Sequence, residues 1–133
     1  MSINIHKYIK YAINEAIKSF QKNRHGAIII YKNQIIGQGF NTEKARGNIL
    51  TNYKLVNSTH TIHAEIAAIL DMYHRFKLKK FRSIIKNAIL LVVRIPTNSE
   101  NIYSINSFRN SKPCPKCHSV LDQLQIKKVY YSY

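Results

Sequence analysis

The chain has 133 residues, two cysteines, and 21 Lys+Arg against six Asp+Glu, a formal net charge of +15. That length suits one domain, 1–133, with a core of its own, and two cysteines exclude both a disulfide framework and a four-cysteine metal site. The charge favours phosphate-bearing partners, nucleic acid included, although a genome biased toward A and T would encode the same Lys-, Ile-, Asn- and Tyr-rich mixture without any such partner.

Residues 4–21 carry apolar side chains at Ile5, Tyr8, Ile9, Ala12, Ile13, Ala16, Ile17 and Phe20. This spacing predicts an amphipathic first helix. His6, Lys7, Lys10 and Glu15 interrupt it, so it is not expected to act as a signal peptide, and nowhere does an apolar run reach membrane-span length. An intracellular, reducing compartment is therefore expected. Ala27–Tyr31 and Gln34–Phe40 flank Lys32-Asn33 and predict a hairpin with a two-residue turn. Gly37 and Gly39 in its second strand suit a bulge or a close backbone approach.

Asn41 to Thr59 shows no period and reads as a long polar loop. A second helix is predicted from near Thr61 or Ile62, through Ile66, Ile69, Leu70 and Tyr73, ending in the basic stretch Arg75 to Lys80. Ala88–Ile95 is a buried-strand candidate that Pro96 ends, followed by a polar loop to Lys112. Cys114 to Leu124 predicts a third helix and Lys128–Tyr133 a last strand. The order αββαβαβ implies an α/β domain with its helices packed on a central sheet; the family resemblance set out below implies three layers, an αβα sandwich around a mixed central sheet of four or five strands.

His63-Ala64-Glu65 and, about fifty residues on, Pro113-Cys114-Pro115-Lys116-Cys117 carry the chemistry. One imidazole and two thiolates suit Zn²⁺, and a three-donor set leaves a coordination position for water, as catalytic rather than structural sites do. Two cysteines at C-x₂-C in the first turn of a helix can direct both sulfurs at one ion, and the helix N-terminus favours thiolate. His63 is expected in the first turn of its own helix, with Thr59 and Thr61 as candidate caps. Glu65 follows His63 by two positions, an offset of roughly 200° on a helix, so it serves as neighbour rather than ligand. A carboxylate there can take a proton from an activated water and return it to a leaving group. H-x-E followed by P-C-x-x-C is the signature of zinc deaminases acting on nucleobases.

On these residues the chain resembles the cytidine deaminase-like superfamily, in the branch whose first zinc ligand is His. That branch includes deoxycytidylate, tRNA adenosine, cytosine and guanine deaminases. The likeness covers most of the chain, and it implies that His63, Cys114 and Cys117 hold Zn²⁺ and that Glu65 shuttles the proton. It further implies that the backbone N–H of Ala64 contacts the base and that Asn41 contacts the ribose. Lys112 stands where several relatives carry a Glu directly before Pro-Cys. The implied activity is zinc-dependent hydrolytic deamination of a cytosine-type nucleoside or nucleotide. The resemblance and the aromatic last strand together imply a homo-oligomer.

Two other readings use the same residues. The +15 charge suits deamination of adenosine or cytidine within RNA or DNA. His118 beside Cys117 could instead supply a fourth ligand, closing a purely structural zinc site in a non-enzymatic nucleic-acid-binding protein. Cys114-x-x-Cys117-His118 also matches a haem attachment pattern, which would require an exported chain and leaves His63 and Glu65 without a role.

Overall fold

A computed structural model of the chain describes residues 5–20, 23–42, 62–76, 78–95 and 114–132. The first periodic segment forms α1 (His6–Ile17), which buries Tyr8, Ala12, Ile13 and Ala16 along one face. β1 (Arg24–Tyr31) and β2 (Gln34–Phe40) form the expected antiparallel hairpin. Its turn holds Lys32 and Asn33 at φ 50° and 63°, left-handed as a tight hairpin turn requires, and the Tyr8 hydroxyl donates to the Asn33 carbonyl at 2.9 Å.

After β2 come α2 (Ala64–Arg75), α3 (Leu78–Ile85), β3 (Ile89–Ile95), α4 (Pro115–Gln123) and β4 (Lys128–Tyr131). The described strands make one sheet in the order β2-β1-β3-β4, antiparallel except for the parallel pair β3 and β4. Side chains alternate across it. Ile28, Ile30, Leu91, Val93 and Ile95 pack under α1, whereas Ala27, Ile29, Leu90 and Val92 pack against α2, α3 and α4. Each fully buried branched side chain of this kind stabilises the fold by roughly 1.5–3 kcal/mol. The result is the expected three-layer sandwich around a mixed sheet. None of the described helices is long and apolar enough to cross a membrane.

Two local expectations need correction. The helix expected from Thr61 or Ile62 begins later: Ile62 pairs with Thr42 in an isolated bridge, and α2 starts at Ala64. It ends at Arg75, the first residue of the expected basic stretch. Phe76 adopts φ −126° and ψ 148°, which breaks the helix, and α3 follows as a separate element that buries Phe81 and Ile85. The cations Lys80 and Arg82 therefore belong to α3 and not to the end of α2. The expected polar loops lie almost wholly outside the described residues, as do Thr59, Thr61 and Lys112.

Glycines set the helix-to-sheet distance. Gly37 and Gly39 do provide the close approach: a Cβ there would lie 2.7 Å from the Ala68 carbonyl oxygen and 2.6 Å from the Ala68 nitrogen, respectively. The register also shifts between Ile29 and Ile30, leaving an extra residue on β2. Gly26 is tighter still, since a Cβ would meet the Ala12 carbonyl oxygen at 2.0 Å and the Ala16 nitrogen at 2.5 Å. Both are backbone atoms and cannot rotate away. Gly26→Ala is expected to cost about 3 kcal/mol by overpacking, a loss of about 10 °C in Tm that a thermal melt would read.

Candidate metal centre

Two helix starts face each other across the site. His63 is the extended N-cap of α2, at φ −75° and ψ 157°, and its carbonyl accepts the Ala67 N–H at 2.9 Å. Cys114 is the extended N-cap of α4, at φ −68° and ψ 165°, with Pro115 opening the helix. The Cys114 Sγ accepts the Cys117 N–H at 3.4 Å, so one turn of helix brings both sulfurs to the same side. Both residues thus sit at cap positions rather than inside the first turn.

His63 Nδ1 lies 3.2 Å from the Cys117 Sγ and 3.4 Å from the Cys114 Sγ, and the three donor atoms fall within 4.8 Å of one another. Nitrogen and sulfur donors around a tetrahedral Zn²⁺, with bonds near 2.05 and 2.3 Å, stand about 3.6 Å apart, so the two imidazole–sulfur separations come within a few tenths of an ångström of that spacing. Neither cysteine is in a disulfide. Among the described residues this is the one group of three or more such donors. His118 does not join it. It is exposed, and its Nδ1 lies 3.3 Å from an Asp122 carboxylate oxygen.

The electrostatics also fit a cation. Burial pushes the Cys117 thiol far above its ordinary range, with the Glu65 carboxylate and then Cys114 acting in the same direction. A cation held by His63, Cys114 and Cys117 would reverse that balance, because a coordinated thiol loses its proton. Glu65, the second residue of α2, is only 4% exposed. Burial raises its carboxyl to about 6, against the opposing effects of hydrogen bonds from its own backbone N–H and from Cys117. A carboxyl poised there can accept and release a proton near neutral pH.

Of the other two expected site residues, Ala64 adjoins His63 in sequence, and Asn41 is linked to it through Thr42 and Ile62. Ala64 is fully buried as the first residue of α2. Asn41 ends β2, and its amide is engaged with the start of β1: Oδ1 accepts the His25 N–H at 3.0 Å, and Nδ2 donates to the Asn23 carbonyl at 2.6 Å. Its own carbonyl accepts the Ser19 hydroxyl at 2.9 Å, which ties the end of α1 to the same point. Thr42, the next residue, exchanges backbone hydrogen bonds of 3.0 and 2.9 Å with Ile62, the neighbour of His63.

Sequence reasoning assigned no role to His25 or Arg94. Strand alternation puts both on the sheet face that carries the metal donors, where they are register partners between β1 and β3. Burial lowers the His25 pKa; Arg94 and His63 lower it further, against the raising effect of a hydrogen bond to the Asn23 carbonyl. The signal was available in the alternation His25, Ala27, Ile29 and Leu90, Val92, Arg94, once those strands are placed side by side.

A three-layer α/β sandwich that gathers one His and two Cys at two helix starts, with a buried carboxyl alongside, defines the zinc-dependent hydrolytic deaminases of nucleobases. The chain belongs to the cytidine and deoxycytidylate deaminase zinc-binding region family, whose model matches residues 2–133. No curated protein matches it. Solved structures share the fold. The dCMP deaminase of the cyanophage S-TIM5 is similar at 23% identity and a TM-score of 0.62, over 98% of this chain and 84% of that one. The guanine deaminase of Bacillus subtilis is 21% identical with a TM-score of 0.53, over 97% of this chain and 64% of that one. A structure from work on tRNA:A34 deaminases is 18% identical with a TM-score of 0.54, over 94% and 73%.

Proposed function

We propose that the chain hydrolytically deaminates the cytosine ring of a free nucleoside or nucleotide, with His63, Cys114 and Cys117 as zinc ligands and Glu65 as the proton shuttle. The observation that carries this reading is the buried Glu65 carboxyl in contact with a ligand-type thiol of a three-donor cluster. When bound, zinc supplies the Lewis acidity that brings a water's pKa to near neutrality. Glu65 takes a proton from the attacking water and gives it to the ring nitrogen. A second proton passes through Glu65 to the exocyclic amine, the bond from C4 to nitrogen breaks, and ammonia leaves while the oxygen stays as the new carbonyl. The Ala64 N–H steadies the base during these steps. Asn41 contacts the ribose with the one amide hydrogen and one lone pair that its two backbone bonds leave over.

Free thiols suit an intracellular setting, and Tyr130, 44% exposed on β4, supports self-association within this reading. The charge of +15 favours a second reading, deamination of a base within RNA or DNA. An ammonia-release screen over cytidine, deoxycytidine, their monophosphates, cytosine, guanine and a tRNA pool separates the two. Release from the small cytosine compounds, little altered by salt, is the expected result. Release confined to the tRNA pool, falling steeply with salt, would overturn it.

A further inference from the structure

The metal donors lie at one end of the sheet, marked by the pairs Gly26–Phe40 and Arg24–Ile95 and by the Thr42–Ile62 bridge next to His63. At the other end Ile30 of β1, Ile89 of β3 and Lys128 of β4 stand side by side in register. β3 runs between the two ends over seven residues, a length of about 20 Å. The chain turns repeatedly at this second end. The hairpin turn brings Lys32 there, Lys86 follows the last residue of α3, and the link from α4 to β4 brings Lys127 and Lys128. The bond from the Tyr8 hydroxyl to the Asn33 carbonyl holds the first turn of α1, and with it Lys7, against the hairpin turn.

All five lysines are exposed, and none pairs with a carboxylate among the described residues. The described acidic side chains have other partners. Glu15 bonds Lys18, Glu65 contacts Cys117, Asp71 holds Arg75, and Asp122 in the last turn of α4 faces His118. Lys7 and Lys32 lie over the rings of Tyr8 and Tyr31, contacts that neutralise no charge. Lys32 carries a further mark: at φ 50° it opens the turn in a left-handed conformation that Asn or Gly adopts with less strain. The turn alone does not account for a lysine there.

Like charges gathered on neighbouring turns repel one another, so this end suits a ligand that brings several negative charges in a row. Three adjacent strands measure about 10 Å across, a width that the long lysine stems extend. A lipid surface fits poorly, because none of the large apolar side chains exposed among the described residues lies on these turns. We propose that this lysine-bearing end, opposite the metal donors, is a docking surface for the sugar–phosphate backbone of a nucleic acid, bound without regard to sequence. Docking there is separate from the base chemistry and does not rest on the small-substrate reading.

The probe is a labelled oligouridylate of about 20 residues, which offers no amino group to remove, followed by fluorescence anisotropy over a salt series. The unaltered protein should bind it, and more weakly as salt rises. Lys86→Gln with Lys128→Gln should make the slope of log K against log salt shallower by about 1.4, at about 0.7 for each lost phosphate contact. Adding Lys32→Gln should extend the change to about 2.1. Lys10→Gln with Lys18→Gln, the same loss of formal charge farther along α1, should change the slope less than half as much. Oligothymidylate of the same length should bind alike, and saturating oligouridylate should leave deoxycytidine turnover unaltered. The proposal would be overturned by no oligouridylate binding at about 0.1 M salt, or by equal slope changes in the two lysine pairs. Binding of only one oligomer would shift recognition to sugar or base, and competitive inhibition of deoxycytidine turnover would put the polymer at the metal centre; either result also overturns it. Lysine-dependent oligouridylate binding by a protein that turns over no deoxycytidine would retire the proposed function and leave this docking surface standing.

Discussion

Glu65→Gln is expected to keep about one zinc per chain and to lower turnover by about 10²- to 10⁴-fold. The substitution preserves shape at a residue only 4% exposed, so packing changes little. It does not touch the His63, Cys114 and Cys117 donor set, so metal affinity should hold. What it removes is the capacity to gain and lose a proton, which burial has tuned to about 6 for the native carboxyl. Metal analysis and initial ammonia-release rates on the same preparation check both halves. Full activity in a zinc-loaded variant would discard Glu65 as the shuttle.

Cys117→Ser should have the opposite signature, losing metal and turnover together. Cys117 is 3% exposed and is one of the two sulfurs facing His63 Nδ1. A hydroxyl is a poor zinc donor, and two donors hold the ion weakly. Zinc content should fall below about 0.2 per chain, and a protein that had bound the metal a thousandfold above its Kd would lose about 4 kcal/mol of stability. Chelation of the unaltered protein should reproduce the lowered Tm, and added zinc should then restore the unaltered protein but not the variant. Undiminished zinc in Cys117→Ser would place the metal elsewhere.

The parts of this protein readable from its residues are those governed by local rules. Lys32-Asn33 between two β-branched runs gave the hairpin, because a two-residue turn admits few backbone conformations. His63, Cys114 and Cys117 could be brought together on paper because metal donors must converge and few other donors compete. The buried strands were equally plain as continuous apolar runs in Ala27–Tyr31 and Ala88–Ile95. What eluded sequence reading depends on tertiary neighbours. The separate helix α3 after the break at Phe76 was not expected, and its gain is the burial of Phe81 and Ile85, which no helical propensity reports. The upward shift at Cys117 reflects how deep the sulfur lies, which spacing does not encode. His25 and Arg94 became site candidates only when β1 and β3 were known to be neighbours.

Cys114 performs two tasks whose separation would be hard to evolve. Its sulfur accepts the amide that opens α4, and it is also one grip of the donor set. Mutational drift there would damage architecture and chemistry in one stroke, so purifying pressure survives even in a lineage that no longer needs the reaction. A descendant could then lose the reaction and still keep this clasp, and would look from the outside almost like its working ancestor.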